Sequence, residues 1–186
     1  MEMKKHMKFD LNKHTARLLM REPFFASLSR NVTKVASTAI PTAGVRVNPD
    51  TARFELMYNP EFFEKLSDKE RTAVLIHEFY HLVFQHVTER RPEGVQMKQW
   101  NIAADLAINC HIDGLPESAC VPGVGPFVEF QRDLSAEAYL ALLQQKKEEQ
   151  KESEKGEGEK GDGEGIPEDN GFDSHDDWGK GDATTN

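Results

Sequence analysis

The segment VLIHEFYHLVFQH, residues 74–86, contains two histidines with the spacing of a metal site. His77 and His81 are four residues apart, and Glu78 directly follows the first of them. Since each residue of an α-helix advances by about 100°, His81 lies about 40° and Glu78 about 100° from His77. Apolar side chains cover the rest of this helix, which is typical of a buried, central element. The pattern therefore predicts that His77 and His81 bind one cation.

Zinc is the cation that these residue types favour. It binds imidazole, has no redox chemistry, and leaves a fourth position for water when three protein ligands are present. The ion lowers the pKa of that water to about 7 and polarises a substrate carbonyl. Glu78 would then act as the general base, taking the proton from the water and later delivering it to the leaving amine.

The alternative to a metal site is that His77 and His81 are core residues that form only hydrogen bonds. The pattern His-Glu-x-x-His, where x is any residue, occurs by chance in roughly one in forty chains of this composition. The pattern here lies in a helix with an N-terminal cap and an apolar remainder, which favours the metal site.

A third ligand is predicted in QWNIAADLAINCHI, residues 99–112. Asn101, Asp105 and Asn109 stand at positions i, i+4 and i+8, so they form one stripe on an otherwise apolar helix. We expect Asp105 to complete the metal site and the two asparagines to orient the ligands. The alternative is a stripe that faces solvent.

His86 is a second candidate for the third ligand. On a continuous helix it lies about 180° from His77, on the apolar side. No glycine between His81 and His86 would let the chain reverse direction. We therefore expect His86 to cap the helix end or to pack against a neighbour, and Asp105 to be the ligand.

The elements that position these residues are helices and a few extended segments, which predicts an α+β fold. Pro23 breaks a first helix, and Ser67 with Glu70 forms a capping box that starts the central helix near Asp68. The predicted segments are a helix over 8–30, extended chain over 32–58, a helix from Pro60, the central helix from Asp68 to Arg90, a helix over 97–112 and a helix opened by Ser135.

An acidic tail is predicted to follow the folded domain. Residues 146–186 hold 14 acidic residues and 6 lysines, and so carry most of the net charge of −9. Almost no apolar residue lies between 148 and 170, which predicts disorder. We expect a domain over 1–146 and a largely disordered tail over 147–186. Because the charge is negative, nucleic acid is not an expected partner.

Cysteine usage and hydropathy indicate the cytoplasm. Cys110 and Cys120 do not form a CxxC pair, and no secretory signal opens the sequence. No apolar run is long enough to cross a membrane. We therefore expect a cytoplasmic protein with no membrane partner.

HEFYHLVFQH followed some twenty residues later by WNIAADLAIN resembles the zinc metallopeptidase domain found in bacteria and phages, often beside a von Willebrand A-like domain. TAGVRV, MYNPEFFEKL and FDSHDDW are similar to further segments of that family. The resemblance implies a zincin-like fold with a small twisted sheet, an active-site helix and a second helix with the remaining ligand. By position it supports His77, Glu78, His81 and Asp105. The von Willebrand-like half is absent, which suggests a stand-alone, phage-encoded version acting in the host cytoplasm.

Two functions are compatible with these residues. The first is a zinc-dependent metalloendopeptidase with a protein or peptide substrate, and the second is a catalytically silent zincin-like domain that binds metal and a partner protein. Glu78 favours the enzyme, because a structural site does not need a carboxylate beside its water.

Substrate binding and regulation give three further hypotheses. An extended peptide would pair with the edge of TAGVRV or ARFELMY, and Tyr58 would donate a hydrogen bond to the oxyanion. In the tail, His175 and its neighbouring aspartates in GFDSHDDWG would occupy the open metal position and inhibit the enzyme.

Overall fold

Six α-helices and a three-stranded sheet make up the part of the chain that the computed structural model describes, residues 9–88 and 90–156. This arrangement confirms the predicted α+β class. The elements are α1 (Leu11–Arg21), α2 (Pro23–Ser29), β1 (Thr33–Ala36), β2 (Ala43–Val47), β3 (Phe54–Tyr58), α3 (Pro60–Lys65), α4 (Asp68–Val83), α5 (Met97–Asn109), a short 3-10 helix (Gly125–Phe127) and α6 (Ala136–Gly156). The break between α1 and α2 falls at the predicted proline, which is the first residue of α2.

The sheet has the strand order β1-β3-β2, with β3 in the middle. β1 runs parallel to β3, with Thr33 opposite Glu55, and β2 runs antiparallel to it, with Ala43 opposite Tyr58. Since β3 is paired on both sides, ARFELMY cannot offer an edge to a substrate, and that hypothesis is wrong for this strand. TAGVRV, which contains β2, lies at an outer position of the sheet and packs against α4.

The capping box at the start of α4 forms as predicted. Ser67 Oγ accepts a hydrogen bond from the Glu70 amide at 3.3 Å, and Glu70 Oε2 accepts one from the Ser67 amide at 2.7 Å. Hydrogen bonds from the Ser67 hydroxyl and the Ser67 amide to the Glu70 carboxylate hold the pKa of Glu70 below its usual value, because they stabilise the charged form. The two bonds of the capping box satisfy two of the backbone donors that a helix start leaves open, so α4 begins at Asp68.

The end of α4 differs from the prediction. The helix ends at Val83 rather than near Arg90, and Gln85 has a left-handed backbone with φ of 60°. The His86 amide donates to the His81 carbonyl at 2.9 Å, and the Gln85 amide donates to the Leu82 carbonyl at 3.2 Å. This is the Schellman pattern of helix termination, in which glycine usually takes the left-handed position. The expectation that the chain needs a glycine to reverse here is therefore wrong.

Replacing Gln85 by glycine is expected to raise the free energy of unfolding by about 1 kcal/mol, because the side chain disfavours the left-handed backbone by about that amount. Chemical denaturation measures the change. Gln144→Gly on the exposed face of α6 is the matched control and should lower stability by about 1 kcal/mol, since glycine weakens a helix interior. Equal destabilisation by both changes would contradict the assigned helix end.

α5 and α6 pack together and carry the C-terminal half of the core. Trp100 and Leu106 of α5, with Tyr139 and Leu143 of α6, are almost fully buried. These interlocking side chains fix the position of α5, and therefore of its polar stripe.

An ion pair connects the segment after α4 to α6. Arg90 Nε lies 2.6 Å from Glu137 Oε1, and its Nη2 lies 3.0 Å from Oε2. The hydrogen bonds from Arg90 lower the pKa of Glu137 to about 2. The ion pair therefore ties the segment between α4 and α5 to the start of α6.

α6 continues to Gly156, ten residues past the predicted end of the domain at 146. The remainder of the predicted tail, including His175 and the inhibitory plug proposed for it, lies outside the described residues. Among the described helices, none combines the length and apolar character needed to cross a bilayer.

Candidate metal and active site

α4 and α5 bring three predicted ligands together. His77 Nε2 lies 3.0 Å from His81 Nε2, and Asp105 Oδ1 lies 3.2 Å from His81 Nε2 and 3.7 Å from His77 Nε2. The i, i+4 spacing on α4 aligns the two rings, while α5 brings the carboxylate from a segment 24 residues further along the chain. Three donor atoms from two helices thus converge on one point.

The separations between these donors fit a single bound ion. Two ligands that each lie about 2.05 Å from a tetrahedral zinc ion are about 3.3 Å apart. The three observed distances of 3.0, 3.2 and 3.7 Å bracket that value. Two imidazoles and one carboxylate are also the donor set of one class of catalytic zinc site. The site is therefore compatible with a metal ion without rearrangement of either helix.

The cluster is completely enclosed. His77, Glu78, His81 and Asp105 each have a relative exposure of 0%. An enclosed setting strengthens every electrostatic interaction inside it, because little water screens the charges. A buried carboxylate between two imidazoles is costly to assemble for packing alone, so the arrangement favours a cation at its centre.

Asn109 determines which nitrogen of His77 is available. The Asn109 Nδ2 donates to the Cys120 carbonyl at 2.8 Å, so its Oδ1 is the atom that lies 2.6 Å from His77 Nδ1. A carboxamide oxygen only accepts, which places the proton of the neutral ring on Nδ1. The Nε2 lone pair of His77 is then directed at the cluster, as a metal ligand requires.

His86 supports His81 from the side opposite the cluster. Its Nδ1 lies 3.2 Å from His81 Nδ1, whereas His81 Nε2 points toward Asp105. Trp100 Nε1 donates to the His86 carbonyl at 3.0 Å, and the two rings pack edge to face. His86 therefore packs against a neighbour and caps the helix end, as expected, and Asp105 completes the donor group.

The stripe on α5 is buried, so the solvent-facing alternative is wrong. Asn101, Asp105 and Asn109 are 8%, 0% and 2% exposed. Of the two asparagines, Asn109 contacts the His77 ring, whereas Asn101 Oδ1 has no hydrogen-bond partner among the described residues. The prediction that both asparagines orient metal ligands therefore holds for the contact of Asn109 only, among the described residues.

Asn109→Ala is expected to weaken metal binding by about 10–100-fold, since the His77 ring loses the acceptor that holds its tautomer and orientation. Competition with a chromophoric chelator measures the affinity. Asn101→Ala, the same change two turns earlier on α5, is the control and should have the smaller effect. Equal losses in both variants would contradict the orienting role of Asn109.

Tyr58, for which an oxyanion role is predicted, makes its observed contacts with α1 and α3 rather than with the proposed ligands. Its ring packs against Phe9 and Phe63, and its hydroxyl interacts with the Leu11 backbone. Burial, followed by the nearby Asp10 charge, raises the pKa of Tyr58, while the Leu11 contact opposes the shift. These contacts hold the hydroxyl at the start of α1.

Two contacts that support the proposed site have no signal in the sequence. The left-handed Gln85 turns His86 away from the face that a continuous helix predicts, and the contact between His86 and Trp100 has no periodic signal. The Cys120 carbonyl is a backbone atom, so no residue type could have marked it. Both depend on how separate segments pack.

Comparison with known proteins supports a metal-dependent hydrolase family. A family model described as "Putative metallopeptidase domain" matches residues 6–182. An uncharacterized protein of Thermotoga maritima is 40% identical over 60 residues, which are 32% of this chain. The matched segment covers only 15% of that protein's length. No solved structure matches the chain.

Proposed function

This chain belongs to the metallopeptidase-domain family whose model it matches, and from that premise we propose that it is a zincin-like, zinc-dependent metalloendopeptidase. The observation that carries the proposal is the convergence of two imidazoles and a carboxylate beside a buried glutamate. His77, His81 and Asp105 hold the zinc ion, and Glu78 is the catalytic residue.

A zinc ion held by His77, His81 and Asp105 would supply Lewis acidity for the scissile carbonyl and would make water acidic enough to lose a proton near neutral pH. Glu78 takes the proton from the attacking water and delivers it to the leaving amine nitrogen. Asn109 and His86 hold the two imidazoles with their Nε2 atoms directed inward. Because these residues are buried, little bulk water competes for the proton that Glu78 carries.

A protein or an extended peptide is the proposed substrate, because the proposed chemistry acts on a peptide carbonyl and on the amine that leaves it.

A catalytically silent zincin-like domain that binds metal and a partner protein is the second candidate. The complete burial of Glu78 and of the three proposed ligands favours it, because a peptide must reach Glu78 for hydrolysis. The two candidates share the metal site and differ only in turnover.

Incubation of the purified protein with an unfolded protein such as casein, and with mixed peptides, tests the proposal. We expect new fragments with zinc, none after removal of the ion by a chelator, and recovery when zinc is restored. Mass spectrometry of the fragments identifies the cleaved bonds. A zinc-loaded protein that leaves all these substrates intact would favour the silent domain.

A further inference from the structure

A second cluster of ligand-type side chains lies at the far end of α5, outside the proposed active site. Cys110 Sγ and His111 Nε2 each lie 3.8 Å from Asp133 Oδ1, and the three donor atoms all lie within 4.8 Å of one another. We propose that Cys110, His111 and Asp133 form a second metal site, which takes a thiophilic divalent ion of the zinc type.

The distances are close to those of a coordinated ion. Around a tetrahedral zinc ion, sulfur and oxygen ligands are about 3.6 Å apart, and nitrogen and oxygen ligands about 3.4 Å apart. The two observed separations of 3.8 Å exceed these values by only a few tenths of an ångström. The third separation, between Cys110 Sγ and His111 Nε2, is no more than 4.8 Å, so rotations of the exposed His111 and Asp133 side chains would bring the three donors onto one ion.

A hydrogen bond from the Arg132 side chain connects the two segments that carry the cluster. Cys110 is the C-terminal cap residue of α5, and Arg132 donates a hydrogen bond to its carbonyl from the loop that carries Asp133. Asp133 itself has a left-handed backbone with φ of 64°, a conformation that aspartate tolerates better than most residues. The loop before α6, which carries Arg132 and Asp133, thus contacts the C-terminal end of α5.

The chemistry of this site differs from that of the first. It includes a thiolate, which favours zinc-like ions over magnesium or calcium. His111 and Asp133 are 50% and 72% exposed, so an ion can enter from solvent and keep water at a fourth position. Cys110 is buried, with its thiol directed at the Ala107 carbonyl and at Asp133.

A metal at this position would clamp α5 to the loop before α6. Cys110 directly follows Asn109, the residue that orients His77, so the clamp would act on the end of the helix that carries Asp105. The second ion therefore has a structural task that is separate from hydrolysis.

Titration of the reduced, full-length protein with Co²⁺, and separately with Zn²⁺, tests the site. A thiolate ligand gives sulfur-to-cobalt charge-transfer absorption in the near ultraviolet, which a site made of imidazoles and a carboxylate lacks. We expect this absorption in the wild type and in Asp105→Asn, which alters only the first site. Cys110→Ser should abolish it.

Cys120→Ser is the matched control, because it removes the other buried thiol and should leave the absorption unchanged. Asp133→Asn keeps an exposed residue that tolerates the left-handed backbone, and should weaken the second equivalent of zinc by at least about tenfold. No charge-transfer absorption in the reduced wild type would overturn the proposal. Absorption that survives Cys110→Ser would do the same.

Discussion

Glu78→Gln is expected to lower the rate of peptide cleavage by about 10²–10⁴-fold while zinc stays bound. Glutamine has nearly the same shape as glutamate but cannot accept the proton, and loss of a general base has effects of this size. His77, His81 and Asp105 are unchanged, so the zinc content should be unchanged. Single-turnover cleavage measurements on zinc-loaded protein, with metal analysis of the same sample, give both quantities.

Glu64→Gln is the matched control for this variant. The substitution is identical, but Glu64 is exposed on α3, so neither cleavage nor zinc content should change. Wild-type cleavage in the Glu78→Gln protein would exclude Glu78 as the base. Loss of zinc from the same variant would instead assign the carboxylate to metal binding.

Asp105→Asn is expected to remove the zinc held between α4 and α5, and cleavage with it. The carboxamide is neutral and a much weaker zinc ligand than the carboxylate, although it fills the same buried space. Metal analysis after dialysis should show one equivalent fewer than in the wild type. With zinc at about 100 times the wild-type dissociation constant, that ion stabilises the wild type by about 2.7 kcal/mol, most of which the variant should lose.

Two comparisons make this outcome specific. Asp50→Asn changes an exposed aspartate and should leave zinc content and stability unchanged. His86→Ala should weaken binding without removing the ion, because His86 contacts the outer nitrogen of His81. Full zinc in Asp105→Asn together with complete loss in His86→Ala would make His86 the third ligand.

Local spacing was enough to predict the main parts of the proposed site. The four-residue interval between His77 and His81 and the stripe on α5 follow from the helical repeat, which acts over one or two turns. The capping box and the break at Pro23 depend on backbone donors within a few residues, so they were predictable as well. None of these features needs knowledge of a distant segment.

Long-range packing decided what local spacing could not. The burial of Asn101 depends on the elements that cover α5, and the central position of β3 depends on pairing with strands on both sides. The end of α4 is a similar case, since the helical period continues smoothly past Val83 in the sequence.

The donor types, their order along the chain and the helices that present them follow from the amino-acid sequence, because they depend on neighbouring residues. Three contacts became visible only in the folded chain: Asp105 approaches the two histidines, the left-handed Gln85 brings His86 back to His81, and the Cys120 carbonyl accepts a hydrogen bond from Asn109. Each of those contacts depends on how separate segments pack against one another in three dimensions. Helical periodicity relates only residues within one helix, so it contains no information about these contacts.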